Sequence, residues 1–230
     1  MTTIEFNGVS HSYTTAGTTK QVLRDIDLCL DERRVGVIGA NGSGKSTFAR
    51  MLNALVVPTS GRVRVDGLDT AREARAIRRR VGFCFTNPDS QIVMPTVAED
   101  VAFSLRRRRL GRTETAARVA ATLAAYGLAG HADHPAHLLS GGQKQLLALA
   151  AVMVTEPDLL VLDEPTTLLD LPNSRRVRAA ISALDAQVVA ITHDLDLLAD
   201  FDRVLVVHEG RICYDSTPAD AIAHYKKLWR

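Results

Sequence analysis

Polar and apolar residues alternate through the first third of the chain. Ile4 and Phe6 have polar neighbours, as do Val63 and Val65 in Gly-Arg-Val-Arg-Val-Asp-Gly, and each stretch predicts a short strand. Residues 35–38 form an apolar run that ends in a glycine-rich loop, and 46–55 predict a helix stopped before Pro58. Residues 81–85 are a further apolar run. From about 97 to 154 the pattern turns helical and rich in Ala, Leu and Arg. Thr113 is placed to cap a helix that runs to Tyr126 and ends at Gly127. A second helix follows Ser140-Gly141-Gly142 and reaches Val154, ahead of Pro157. The last third returns to buried strands. Residues 159–162 and 188–191 are continuous apolar runs, as parallel strands covered on both faces should be. A helix over 173–184 completes a βαβ unit, and 203–207 with 211–214 predict a hairpin around Glu209-Gly210. The expected fold is α/β, one domain over 1–230 with a helical insertion at about 88–154.

Composition narrows the class. The 230 residues carry 28 Lys+Arg against 26 Asp+Glu, a net charge of +2, with 46% hydrophobic residues. That is a folded protein and not a disordered one. The near-neutral balance argues against a dedicated nucleic-acid binder, so no nucleic-acid partner is expected. No apolar run approaches the roughly 18–20 residues that cross a bilayer, and Met1 to Tyr13 lack the layout of a signal peptide. Cys29, Cys84 and Cys213 are widely spaced and odd in number, which points to a reducing compartment.

The chemistry begins at Gly39-Ala40-Asn41-Gly42-Ser43-Gly44-Lys45-Ser46, which fits G-x-x-x-x-G-K-[ST] between a predicted strand and a predicted helix. Glycines let the backbone curl so that N–H groups point at phosphate oxygens, and the helix start adds partial positive charge. In such a loop Lys45 reaches the β- and γ-phosphates of ATP and the Ser46 hydroxyl ligates Mg²⁺, with Thr47 next in the helix. Two other strands end in polar residues: 159–162 runs into Asp163-Glu164, and 188–192 into His193. Parallel sheets gather ligand groups beyond the C-terminal strand edge. Asp163 suits the Mg²⁺ shell, Glu164 can polarise the attacking water, and His193 can hydrogen-bond the γ-phosphate.

Leu139-Ser140-Gly141-Gly142-Gln143 precedes a long apolar helix and is a second anion site, built from a hydroxyl, glycine amides and a helix N-terminus. A single small domain seldom needs two such sites for one nucleotide, so the second one fits a nucleotide held by another copy.

With these motifs in this order, the sequence resembles the ATP-binding cassette (ABC) ATPases over essentially its whole length. The resemblance implies a P-loop NTPase: a RecA-like parallel sheet core, an N-terminal antiparallel β subdomain and a helical signature subdomain. It implies two nucleotide domains sandwiching two ATPs, with Ser140, Gly141, Gly142 and Gln143 facing the other subunit's nucleotide. Asp170 matches the loop that lies across that dimer interface, and Tyr13 sits where the family stacks an aromatic on adenine. The family usually has a glutamine after the strand at 81–85; here that position is Thr86, followed by Asn87-Pro88-Asp89-Ser90-Gln91. Thr86 has a hydroxyl with short reach, and Gln91 has the right chemistry at a different spacing, so both stand as candidates for the coupling loop.

Asn87 to Gln91 and then Pro95 to Phe103 resemble the ATPases of energy-coupling factor importers, and Thr86 with Ile92-Val93-Met94-Pro95-Thr96 looks most like the biotin-uptake branch. The short segment after Tyr214 also fits a compact member. The branch implies a transmembrane coupling protein, a membrane substrate-binding protein, a second ABC ATPase subunit, identical or not, and a peripheral place on the cytoplasmic face of the membrane. The cobalt/nickel or other-vitamin importers are the alternative. A different class, the soluble ABC ATPases of DNA maintenance or translation, carries long coiled-coil insertions or tandem cassettes that this chain lacks. Ile92, Val93 and Met94 read either as core or as a contact surface. His131, His134 and His137 read as a surface loop, since Pro135 interrupts them, and Arg72, Arg75, Arg78–Arg80 and Arg106–Arg109 read as solvated faces.

Overall fold

A computed structural model describes residues 1–228. The chain divides into two compact units. One holds Met1–Phe83, Asp158–Glu164 and the chain from Ala186 onward; the other holds Cys84–Pro157 and Pro165–Asp185.

The first unit opens with β1 (Ile4–Thr15) and β2 (Thr18–Leu30), paired as an antiparallel hairpin. These strands run 12 and 13 residues, longer than the short strands the sequence predicted, and β2 was not foreseen. The cause lies in the register. It shifts at Phe6/Val9, Val9/His11 and His11/Ser12, and Asp25 takes a φ of +47°. Each bulge resets which face a side chain takes, so the buried Leu23, Ile26 and Leu30 lose the period of two that marks a strand.

Next come β3 (Arg34–Gly39) and α1 (Lys45–Leu52). The helix stops three residues before the predicted Leu55, because Ala54 adopts a left-handed φ of +58°. Arg78 fixes that end by donating to the carbonyls of Asn53 and Ala54. β4 (Ser60–Val65) and β5 (Leu68–Asp69) complete a sheet in the order β2-β1-β4-β5. α2 (Ala74–Arg80) leads into β6 (Val81–Cys84). Arg80 bridges Asp66 and Asp158, so Arg78 and Arg80, exposed as the sequence reading expects, also tie separate segments together.

In the second unit lie α3 (Val97–Leu105), α4 (Arg112–Ala125) and α5 (Gly141–Met153). Thr96 and Glu99 form a capping box on α3, a T-x-x-E pattern visible in the sequence but unread there. Thr113 does not cap α4; Gly111 holds the cap position with extended backbone, and Thr113 falls inside the first turn. Val101, Leu105, Leu123, Leu128, Leu147 and Val154 are buried together as this unit's core.

The chain then supplies β7 (Leu159–Asp163), α6 (Leu171–Ser182), β8 (Gln187–Ile191), β9 (Arg203–His208), β10 (Arg211–Ser216) and α7 (Pro218–Leu228). α6 starts two residues before the predicted helix because Asp170 accepts from the Asn173 N–H as its cap. The second sheet runs β10-β9-β3-β8-β7-β6. Its β3, β7, β8 and β9 are parallel neighbours, while β9 and β10 form the expected hairpin. Every residue of β7 and β8 is buried, which accounts for their unbroken apolar runs. α7 was not foreseen; Tyr214 on β10 stacks on its His224 at 4.2 Å. No helix among the described residues is long and apolar enough to cross a membrane.

Candidate nucleotide site

Three adjacent strands of the parallel sheet deliver the expected groups to one place within the first unit. β3 ends in the phosphate loop, β7 in Asp163-Glu164, and β8 leads to Thr192 and His193. Their order, β3-β8-β7, makes these neighbouring strand ends.

The loop is tightly built. Gly44 holds a φ of +108°, and a side-chain carbon there would lie 2.7 Å from the Val22 carbonyl oxygen, so only glycine fits. Ser43 is buried, and its Oγ has no hydrogen-bond partner among the described residues. Lys45 is 6% exposed and donates from Nζ to the Gly39 and Ala40 carbonyls at 2.7 and 2.9 Å. Burial pushes its ammonium below the usual lysine range, and the Glu164 and Asp163 carboxylates oppose that shift. Asn41 and Gly42 are exposed at the loop tip.

Ser46 Oγ donates to Asp163 Oδ1 at 2.9 Å. Burial pushes the Asp163 carboxyl up, countered by the Ser46 hydrogen bond and the charges of Arg50 and Lys45. Arg50, one helical turn beyond Ser46 on α1, is a part of this site that the sequence reading missed; its signal was the i,i+4 spacing. Two adjacent hard oxygens, one a carboxylate, are the donors Mg²⁺ takes when substrate phosphates supply the rest. Among the described residues no group of three or more His, Cys, Asp and Glu gathers as a self-sufficient metal site.

Glu164 sits at a left-handed φ of +58°, its N–H donating to the Ile191 carbonyl. Its carboxylate accepts the His193 N–H at 3.1 Å and lies 3.2 Å from His193 Nε2. The same Nε2 is 3.0 Å from Asn41 Oδ1 and 3.5 Å from Lys45 Nζ. The imidazole thus joins the loop to the acidic pair. Tyr13 is 41% exposed, with its hydroxyl 3.4 Å from Thr47 Oγ1 and its ring edge-on to His11.

The remaining predicted residues lie in the second unit. Ser140 caps α5: its Oγ accepts the Gln143 N–H at 3.3 Å and the Gln143 Oε1 accepts the Ser140 N–H at 2.9 Å. Gln143 Nε2 also meets His131 Nε2 at 3.0 Å. Gly142 is buried against α6, where an added side-chain carbon would collide with Asn173. Gly141 and Asp170 are exposed. Thr86 is half-buried, and Gln91 binds backbone on two sides. The triplet Ile92-Val93-Met94 divides between both readings: Ile92 packs on the core while Val93 is 62% exposed. Asp100, unremarked in the sequence, is buried and accepts the Val93 and Met94 N–H groups. Beside Met94 a cleft of about 380 Å³ is lined by Ala102, Phe103, Arg106 and Leu110.

A parallel sheet whose strand ends carry a phosphate loop, an acidic pair and a histidine defines a P-loop NTPase, and the serine-glycine cap at Ser140 defines its ATP-binding cassette subclass. The ABC transporter family model matches residues 23–167, and the chain belongs to that family. It is 53% identical, over 97% of both chains, to a putative ABC transporter ATP-binding protein of Deinococcus radiodurans. It is 49% identical to the Biotin transport ATP-binding protein BioM of Rhizobium etli, covering 90% of this chain and 92% of that one. Among solved structures it is similar to a dimeric ATP-binding cassette in a post-hydrolysis state bound to ADP and Pi, with TM-score 0.84, 26% identity and coverage of 94% and 98%. It is also similar to cbiO1 of Clostridium perfringens, part of the ABC transporter complex cbiONQ, with TM-score 0.83, 31% identity and coverage of 98% and 92%. The chain binds and hydrolyses ATP, as its family does.

Proposed function

We propose that this chain, acting as one nucleotide-binding domain over 1–230, energises a membrane importer of the energy-coupling factor type that takes up biotin. The observation that carries the reading is Thr86 followed by Asn87-Pro88-Asp89-Ser90-Gln91, in a chain 49% identical to a biotin transport ATP-binding protein.

In this reading the amides of residues 39–47 and Lys45 hold the phosphates, and Tyr13 stacks on adenine. Ser46 and Asp163 would hold Mg²⁺, which would supply neutralisation of phosphate charge. Glu164 accepts the proton of a water as its oxygen bonds to the γ-phosphorus and the bond to the β-phosphate oxygen breaks. His193 holds the γ-phosphate. Ser140, Gly141, Gly142 and Gln143 serve an ATP held by a second subunit, and Asp170 lies across that interface. Closing the pair on ATP stores the difference in affinity between open and closed states, which is the energy available to push a partner. The loop carrying Thr86 and Gln91 receives that partner, a transmembrane coupling protein that works with a membrane substrate-binding protein. Val93 and the cleft beside Phe103 extend the apolar surface offered to it. The chain then works peripherally on the cytoplasmic face.

Uptake of labelled biotin tests the reading, using vesicles that hold the chain with the membrane proteins that co-purify with it. Biotin uptake that depends on ATP is expected. Uptake of cobalt or nickel instead overturns the substrate, and co-purification with DNA or ribosomes and no membrane protein overturns the importer.

A further inference from the structure

The loop that leaves β6 is pinned to α5 at two points. Gln91 Nε2 donates to the Ala148 carbonyl at 3.2 Å, and Lys144 Nζ donates to Asp89 Oδ1 at 2.8 Å. Lys144 and Ala148 are four residues apart and share one face of the helix. Asp89 lies in a short 3₁₀ turn, Pro88–Ser90, whose start is set by the Asn87 side chain accepting the Asp89 N–H. All of these residues belong to the helical unit.

The Gln91 amide is occupied by these contacts. A carboxamide offers one acceptor oxygen and two N–H donors. Its oxygen accepts the Phe85 N–H at 3.2 Å while its nitrogen serves Ala148. Turning that oxygen toward a cation would break its bond to the Phe85 N–H and pull the nitrogen off the Ala148 carbonyl. Giving up two hydrogen bonds makes that rotation costly.

We infer that Gln91 is a positioning residue and not a metal ligand: with the Asp89–Lys144 pair it forms a clasp that makes the Thr86 loop and the Ser140-bearing helix one body. A push on the loop then moves the signature directly, with no slack between them. This inference rests on the proposed function, in which the loop is the coupling element and Ser140 serves the opposite nucleotide.

Gln91→Glu separates the two roles. Glutamate is at least as good a ligand for Mg²⁺ as glutamine, but it brings a carboxylate against the Ala148 carbonyl and loses the donor. For the clasp, Gln91→Glu and Gln91→Ala both lower kcat for ATP by about tenfold, with KM for ATP and the Mg²⁺ concentration for half-maximal turnover within about twofold of the parent. Parental turnover in Gln91→Glu, or a lower Mg²⁺ requirement, overturns it. Lys144→Met and Asp89→Asn test the exposed half without threatening the fold. Each lowers kcat, and the double change lowers it no further than the worse single one. Singles without effect, or effects that multiply, overturn the clasp. Ser46→Ala, measured alongside, keeps the two levels apart. If it leaves the Mg²⁺ requirement unchanged, the metal assignment in the proposed function has failed, whereas the Gln91 and Lys144 results judge the clasp.

Discussion

Ser46 and Asp163 lie 117 positions apart in sequence, yet their side chains share a 2.9 Å hydrogen bond. One comes from the first turn of α1, the other from the last residue of β7. A hydroxyl and a buried carboxylate held this close are the pair proposed to hold Mg²⁺. Ser46→Ala should raise the Mg²⁺ concentration for half-maximal ATP turnover by about tenfold or more, since one hard ligand is lost. A magnesium titration of turnover checks this.

Glu164→Gln keeps an oxygen for the His193 N–H, now bonded at 3.1 Å, but removes the carboxylate proposed to accept a proton. Turnover should fall by about 10²–10⁴-fold, the range of a lost general base. ATP binding should persist, so the variant should accumulate as an ATP-bound dimer on size exclusion. Normal turnover would remove Glu164 from that role.

Gly142 is buried where α5 meets α6, with no room for a side chain beside Asn173. Gly142→Ala should lower stability by about 1–3 kcal/mol through overpacking. Adding Asn173→Gly should recover part of the loss. Thermal denaturation of the single and double variants reads both effects.

Asp100 is 3% exposed, and burial raises its carboxyl above the usual range, although the Val93 and Met94 N–H groups oppose the shift. A folded pKa raised above the unfolded one means the folded chain favours the proton. The charged form therefore costs stability at neutral pH, and that cost fades as pH falls through the raised folded pKa and is gone below the ordinary carboxylate value. Asp100→Asn keeps an acceptor oxygen and should lose this pH dependence, gaining relative to the parent at neutral pH. Asp100→Ala should lose about 1–3 kcal/mol, because two N–H groups lose their acceptor. Denaturant midpoints measured across the acid range distinguish the three chains.

The residue pattern by itself determined the phosphate loop, the buried strands β7 and β8, the acidic pair and the signature. These are local: an apolar run, a turn or a cap needs only neighbours a few residues away to be read. The order of these motifs was enough to identify the ABC family, whose model matches residues 23–167. Other features were decided only in three dimensions. The long hairpin β1–β2 stayed hidden because bulges scramble its alternation. Arg80 looked like one more surface charge until the fold carried Asp66 and Asp158 to it. What the Gln91 amide binds was open in the sequence, since spacing sets reach but not direction. The fold turned the Gln91 amide onto Phe85 and Ala148, backbone groups that only tertiary packing brings within a hydrogen bond of it.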